Sequence, residues 1–158
     1  MFLRACAPAL VLASTLALGA CTAPSGAAVT RCSSGAAALV QNPQRDCTLE
    51  VQAFSGRTVA SFQADAPDFY RHYEADAEFA VRSGRVRVSV YGSHDPVEFV
   101  VEPGRPWKGR IVARLNRQDR RFRVALEPEG EAAGLQATIR HRNVVRSAVS
   151  PTEVLPQG

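Results

Sequence analysis

Residues 72–82, HYEADAEFAVR, alternate without a break: Tyr73, Ala75, Ala77, Phe79 and Val81 share one parity, and Glu74, Asp76 and Glu78 the other. Successive side chains of a strand point to opposite faces, so this stretch is a β-strand with an apolar face and an acidic one. Working outward, Ser83-Gly84 is a two-residue turn signal, read as a hairpin pairing Val81 with Val86, Phe79 with Val88 and Ala77 with Val90. The loop Gly92-Ser93-His94-Asp95 then sets Val90 against Val97 and Val88 against Phe99. Upstream, Ser55-Gly56 pairs Phe54 with Arg57, Val51 with Ala60 and Leu49 with Phe62. A slip of one residue would turn all these apolar side chains to water, so burial constrains the register.

Beyond the break at Glu102–Pro106, a strand from Trp107 to Leu115 precedes one from Arg121 to Glu127. Hairpin pairing there brings Leu115 to Phe122, Ala113 to Val124, Ile111 to Leu126 and Arg110 to Glu127. Residues 134–142 supply a last strand with Leu135, Ala137 and Ile139 inward. The expectation is an all-β chain of about eight strands without a long helix: a single antiparallel β-sandwich over residues 47–145, or alternatively a small β-barrel. The pattern loosely resembles the jelly-roll accessory domains of bacterial exported proteins. Residues 146–158 lose the alternation, contain two prolines and read as a disordered tail.

The N-terminus carries one cation, Arg4, and then the apolar run ALVLASTLAL from Ala9 to Leu18. That run has the length of a signal-peptide core and is too short for a permanent membrane span. It ends in Leu18-Gly19-Ala20-Cys21, which resembles the lipobox of bacterial lipoproteins. The resemblance implies that residues 1–20 are a removed signal peptide, that Cys21 is lipidated, and that the protein is anchored to a membrane on the extracytoplasmic side of the cell envelope. Thr22 in place of Asp after that cysteine favours the outer membrane if the cell is Gram-negative. Residues 21–46 are small, polar and low in complexity and read as the lipidated end of a flexible tether. Cys6 leaves with the signal and Cys21 takes the lipid, so Cys32 and Cys47 remain to form a disulfide in an oxidising compartment. Closing their fifteen-residue separation contributes about 3 kcal/mol in the loop-entropy picture.

Loss of Arg4 lowers the formal charge from +4 to +3, too little to indicate nucleic-acid binding. His72, His94 and His141 lack the local spacing of a metal pair, no Gly-x-Ser-x-Gly elbow is present, and no Gly-rich phosphate loop occurs. The expectation is therefore no enzyme, no cofactor and no metal. Glu74, Asp76 and Glu78 read as a solvated edge rather than a glycosidase pair.

The cations are almost all arginine, with Lys108 the single lysine. In the expected register Arg114 lies opposite Arg123 and Arg121 beside Arg140, with His141 and Arg142 near the same end. Like charges facing each other across a sheet cost stability. The expectation is thus that Arg114, Arg121, Arg123 and Arg140 form one cationic face for an anionic lipid, a cell-wall polymer or an envelope protein. The alternative is a carbohydrate- or cell-wall-binding module using the aromatics Phe69, Tyr70, Tyr91 and Trp107.

Overall fold

The computed structural model describes residues 26–33, 44–64, 71–93, 96–116 and 118–144; Cys21, His94, Phe69, Tyr70 and the C-terminal tail lie outside them. Nine strands occur in the described residues: β1 (Ala28–Cys32), β2 (Arg45–Phe54), β3 (Thr58–Gln63), β4 (His72–Ala80), β5 (Val86–Tyr91), β6 (Val97–Val101), β7 (Trp107–Arg114), β8 (Arg121–Pro128) and β9 (Ala132–Val144). They form a five-stranded sheet in the order β1-β2-β9-β4-β7 and a four-stranded sheet in the order β3-β8-β5-β6. Every pairing is antiparallel. Each sheet keeps two edge strands, so the architecture is a β-sandwich and not a closed barrel.

The apolar parity of each strand turns inward as expected. Leu49, Tyr73, Phe79, Ile111 and Leu135 of the larger sheet face Phe62, Val88, Phe122 and Leu126 of the smaller one, all nearly inaccessible to solvent. Burial of each large side chain contributes about 1.5–3 kcal/mol, and these layers are the main source of cohesion. Phe122 stacks on Phe62 at 4.9 Å and on Tyr73 at 4.4 Å, joining the two sheets through one aromatic column.

The pairings differ from the expected meander at all but one connection. The β5–β6 hairpin has the anticipated register, Val90 with Val97 and Val88 with Phe99. At Ser55-Gly56, at Ser83-Gly84, between β7 and β8 and between β8 and β9, the chain crosses to the other sheet instead. The physical reason is that inward parity is the same for two strands side by side and for two strands facing each other across the core. After β4 the backbone stays beside β9 as far as Ser83, whose N–H donates to the Ala133 carbonyl at 3.1 Å. It then turns through Gly84 at φ 82° into the other sheet. β9 thereby becomes an interior strand between β2 and β4.

Residues 28–32, expected to be tether, form edge strand β1 on β2. Four of its five side chains are exposed, so the strand has no hydrophobic alternation to read. Backbone pairing and the Cys32–Cys47 disulfide, which joins directly opposed residues, hold it in place.

Candidate ligand-binding face

The four singled-out arginines do not form one face. Arg114 and Arg140 project outward from the five-stranded sheet, whereas Arg121 and Arg123 project from the opposite surface of the molecule on β8. The expected neighbours Arg114–Arg123 and Arg121–Arg140 sit in different sheets. Three of the four are also committed to other groups. Arg140 Nε donates to Asp46 Oδ1 at 2.8 Å, Arg123 pairs with Asp119, and Arg121 Nε donates to Gln63 Oε1 at 3.0 Å. Arg110 likewise meets Glu74, while Glu127 is held by Arg57 at 3.0 Å.

The acidic face of β4 is no solvated edge, because β4 lies between β9 and β7. The register places cations on both flanks. Asp76 has Arg140 on one side and Arg110 on the other, and Glu78 Oε1 accepts from Lys108 Nζ at 3.0 Å. Glu74 is buried beneath Arg110 and Arg142. On the far flank, Arg31 pairs with Glu50 at 3.5 Å. Each carboxylate of β4 on this face thus has a cation beside it.

Within that lattice lies a groove whose two carboxylates, Glu50 and Glu78, are paired and whose other polar groups are uncharged. Thr48 opposes Thr138 and Glu50 opposes Gln136, while Glu78 and Ala80 continue the same two rows on β4. Together they line an open groove of about 370 Å³. Ala80 has no side chain beyond its methyl group, and this deepens the groove beside Gln136. The side chains of Thr48, Thr138 and Gln136 make no hydrogen bond among the described residues, so two hydroxyls and an amide face solvent from a rigid sheet. Strand-borne polar groups keep fixed spacings, unlike groups on loops.

Of the expected aromatics, Tyr91 and Trp107 lie among the described residues, and they sit apart on different sheets. Trp107 stacks on Phe99 at 3.8 Å and closes the seam between β6 and β7, and Tyr91 is half-buried on β5. Among the described residues no cluster of His, Cys, Asp or Glu has the geometry of a metal site. His141, expected near the arginines, points into the core at 2% exposure, with Nε2 3.6 Å from Cys47 Sγ. Its parity with Leu135, Ala137 and Ile139 was the signal for that placement. The groove residues had no such signal, because threonine and glutamine on an outward parity look like any wet strand.

No protein-family model and no curated protein matches the chain. Its fold is similar to a solved structure described as "CBM4 structure and function", with a TM-score of 0.34 and 7% identity over 64% of this chain and 71% of that one.

Proposed function

We propose that this protein is a non-catalytic, lipid-anchored module of the bacterial envelope that holds a neutral, hydroxyl-rich polymer, a cell-wall or surface glycan, in the groove on the five-stranded sheet. One observation carries the reading. In the groove itself the hydrogen-bonding groups without a partner among the described residues, Thr48, Thr138 and Gln136, are uncharged, and the flanking carboxylates Glu50 and Glu78 already hold Arg31 and Lys108. A charged ligand in the groove would compete with the Arg31–Glu50 and Lys108–Glu78 pairs that border it, whereas sugar hydroxyls would add hydrogen bonds. Each such bond contributes about 0.5–1.5 kcal/mol, so three or four support only weak affinity, roughly millimolar for one short segment. Anchoring through Cys21 compensates by keeping the module at high local concentration beside an envelope polymer.

The test uses the chain with Cys21→Ser, which removes the sulfur that would carry the lipid, in sedimentation with insoluble cell-wall glycan. Retention should persist as salt rises and should fall several-fold in Thr138→Val and in Gln136→Leu. Retention that disappears with salt and ignores both substitutions would overturn the groove and return attention to charged surfaces. Loss of fatty-acid labelling in the Cys21→Ser chain tests the anchor separately.

A further inference from the structure

We propose that the Cys32–Cys47 disulfide is a site of thiol–disulfide exchange, with Cys32 as the sulfur attacked and Cys47 as the leaving thiolate received by His141. The two cysteines face each other across β1 and β2 but occupy different environments. Cys32 ends an edge strand and is exposed, whereas Cys47 is 2% exposed within the core. An incoming thiolate therefore reaches one sulfur only, and attack on Sγ of Cys32 expels Sγ of Cys47.

The leaving sulfur has a polar neighbour already in place. His141 Nε2 lies 3.6 Å from Cys47 Sγ, and a proton on that nitrogen donates to the thiolate as it forms. With its proton on Nε2, the ring is a donor toward that sulfur in either charge state. His141 is held between Ala75 on β4 and Arg45 on β2, with the Phe122 ring 5.0 Å away from the opposite sheet. A disulfide serving only as a staple has no need of a hydrogen-bond donor beside its buried sulfur.

The exchange balances with an external dithiol, the chemistry of an envelope thiol oxidoreductase. Its first thiolate forms a bond to Cys32 Sγ while the Cys32–Cys47 bond breaks, leaving Cys47 as a thiolate. Its second thiol, deprotonated, attacks the mixed disulfide and releases Cys32. The dithiol becomes a disulfide, two electrons pass to the protein, and the two protons released by the dithiol end on Cys32 and Cys47. Reduction removes the covalent tie of β1, whose remaining side-chain support includes the exposed Arg31–Glu50 pair. Such surface pairs contribute little. The backbone ladder to β2 is then the main hold on β1, and the edge of β2 that it covers opens more readily.

The full chain is incubated briefly, without denaturant, with glutathione, quenched with acid and mapped by peptide mass. The adduct is expected on Cys32; an adduct on Cys47, or none until the protein is unfolded, overturns the proposal. Equilibration in graded mixtures of reduced and oxidised dithiothreitol then measures the ease of reduction. His141→Leu should make the disulfide about tenfold harder to reduce, and His141→Gln, which keeps an N–H donor, should recover part of that loss. Equal constants for all three chains overturn the role of His141. Should the leucine variant not fold when oxidised, the glutamine variant and the adduct map decide alone.

Discussion

Glu74 lies beneath Arg142 on the outer side of β4, its Oε2 3.4 Å from Arg142 Nη2, and its side chain is only 6% exposed while that arginine is half exposed. Arg110 covers it from the other flank. Solvent-side carboxylates are seldom buried so deeply, and the difference in exposure makes the partners unequal. Glu74→Ala leaves two guanidinium groups that can swing into water, and should cost about 1–2 kcal/mol. Replacing Arg110 and Arg142 together by Met keeps the aliphatic cover but strands the carboxylate, and should cost about 3–5 kcal/mol. Urea titration of both chains checks the order; a reversed order would show that Glu74 is solvated in the folded protein.

The crossover at Gly84 supplies a second measurement. Gly84 and Gly130 have nearly the same left-handed backbone, φ 82° and 87°. A methyl group at Gly130 meets open space, whereas at Gly84 it would lie 2.4 Å from the Glu131 carbonyl oxygen. Gly130→Ala should therefore cost only the conformational term, about 1–2 kcal/mol. Gly84→Ala must also move backbone that β9 needs, and should cost roughly twice as much or more. Equal midpoints in thermal unfolding would mean that the crossover relaxes freely.

Much of the interior was legible from parity alone, because burial depends on which face a residue occupies and not on which strand lies beside it. Phe79 and Val88 illustrate the limit. Both point inward as expected, yet they line the core from different sheets instead of pairing in a hairpin. Only the β5–β6 hairpin, Val88 with Phe99 and Val90 with Val97, has the local pairing that the loop implied. The arginine face failed for this reason, since it required neighbours within a sheet. β1 was illegible for another: exposed edge strands need no apolar pattern, and a disulfide and backbone hydrogen bonds leave no periodic trace. Glu74 was misjudged because its burial depends on Arg142, sixty-eight residues away in the chain.

Tyr73 gives a prediction of the opposite sign. Its ring is fully buried against Phe122, and burial pushes its phenol well above the usual tyrosine range. Among the described residues no group hydrogen-bonds its hydroxyl. A buried hydroxyl without a partner costs about 1–3 kcal/mol, and removing it while keeping the ring restores part of that. Tyr73→Phe should therefore stabilise the fold by about 1 kcal/mol. A loss of stability would reveal a hydrogen bond to that hydroxyl that the fold depends on.

Asp119 sets an acid-side dependence. Partial desolvation opposes its ionisation, but the Arg123 hydrogen bond, the Arg121 backbone N–H and the charges of both arginines outweigh this and hold its carboxyl below the usual range. A carboxyl depressed in the folded state stabilises the protein above its unfolded-state pKa, near 3.8, and that contribution is lost as pH falls through the lower folded value. The group is accessible to solvent, so its contribution is small, about 0.5 kcal/mol. Asp119→Asn should unfold at a lower temperature than the parent at neutral pH, and the gap should close as the solution is acidified below about pH 4. An offset that stays constant with pH would place the effect in the loop's shape instead of in the charge of Asp119.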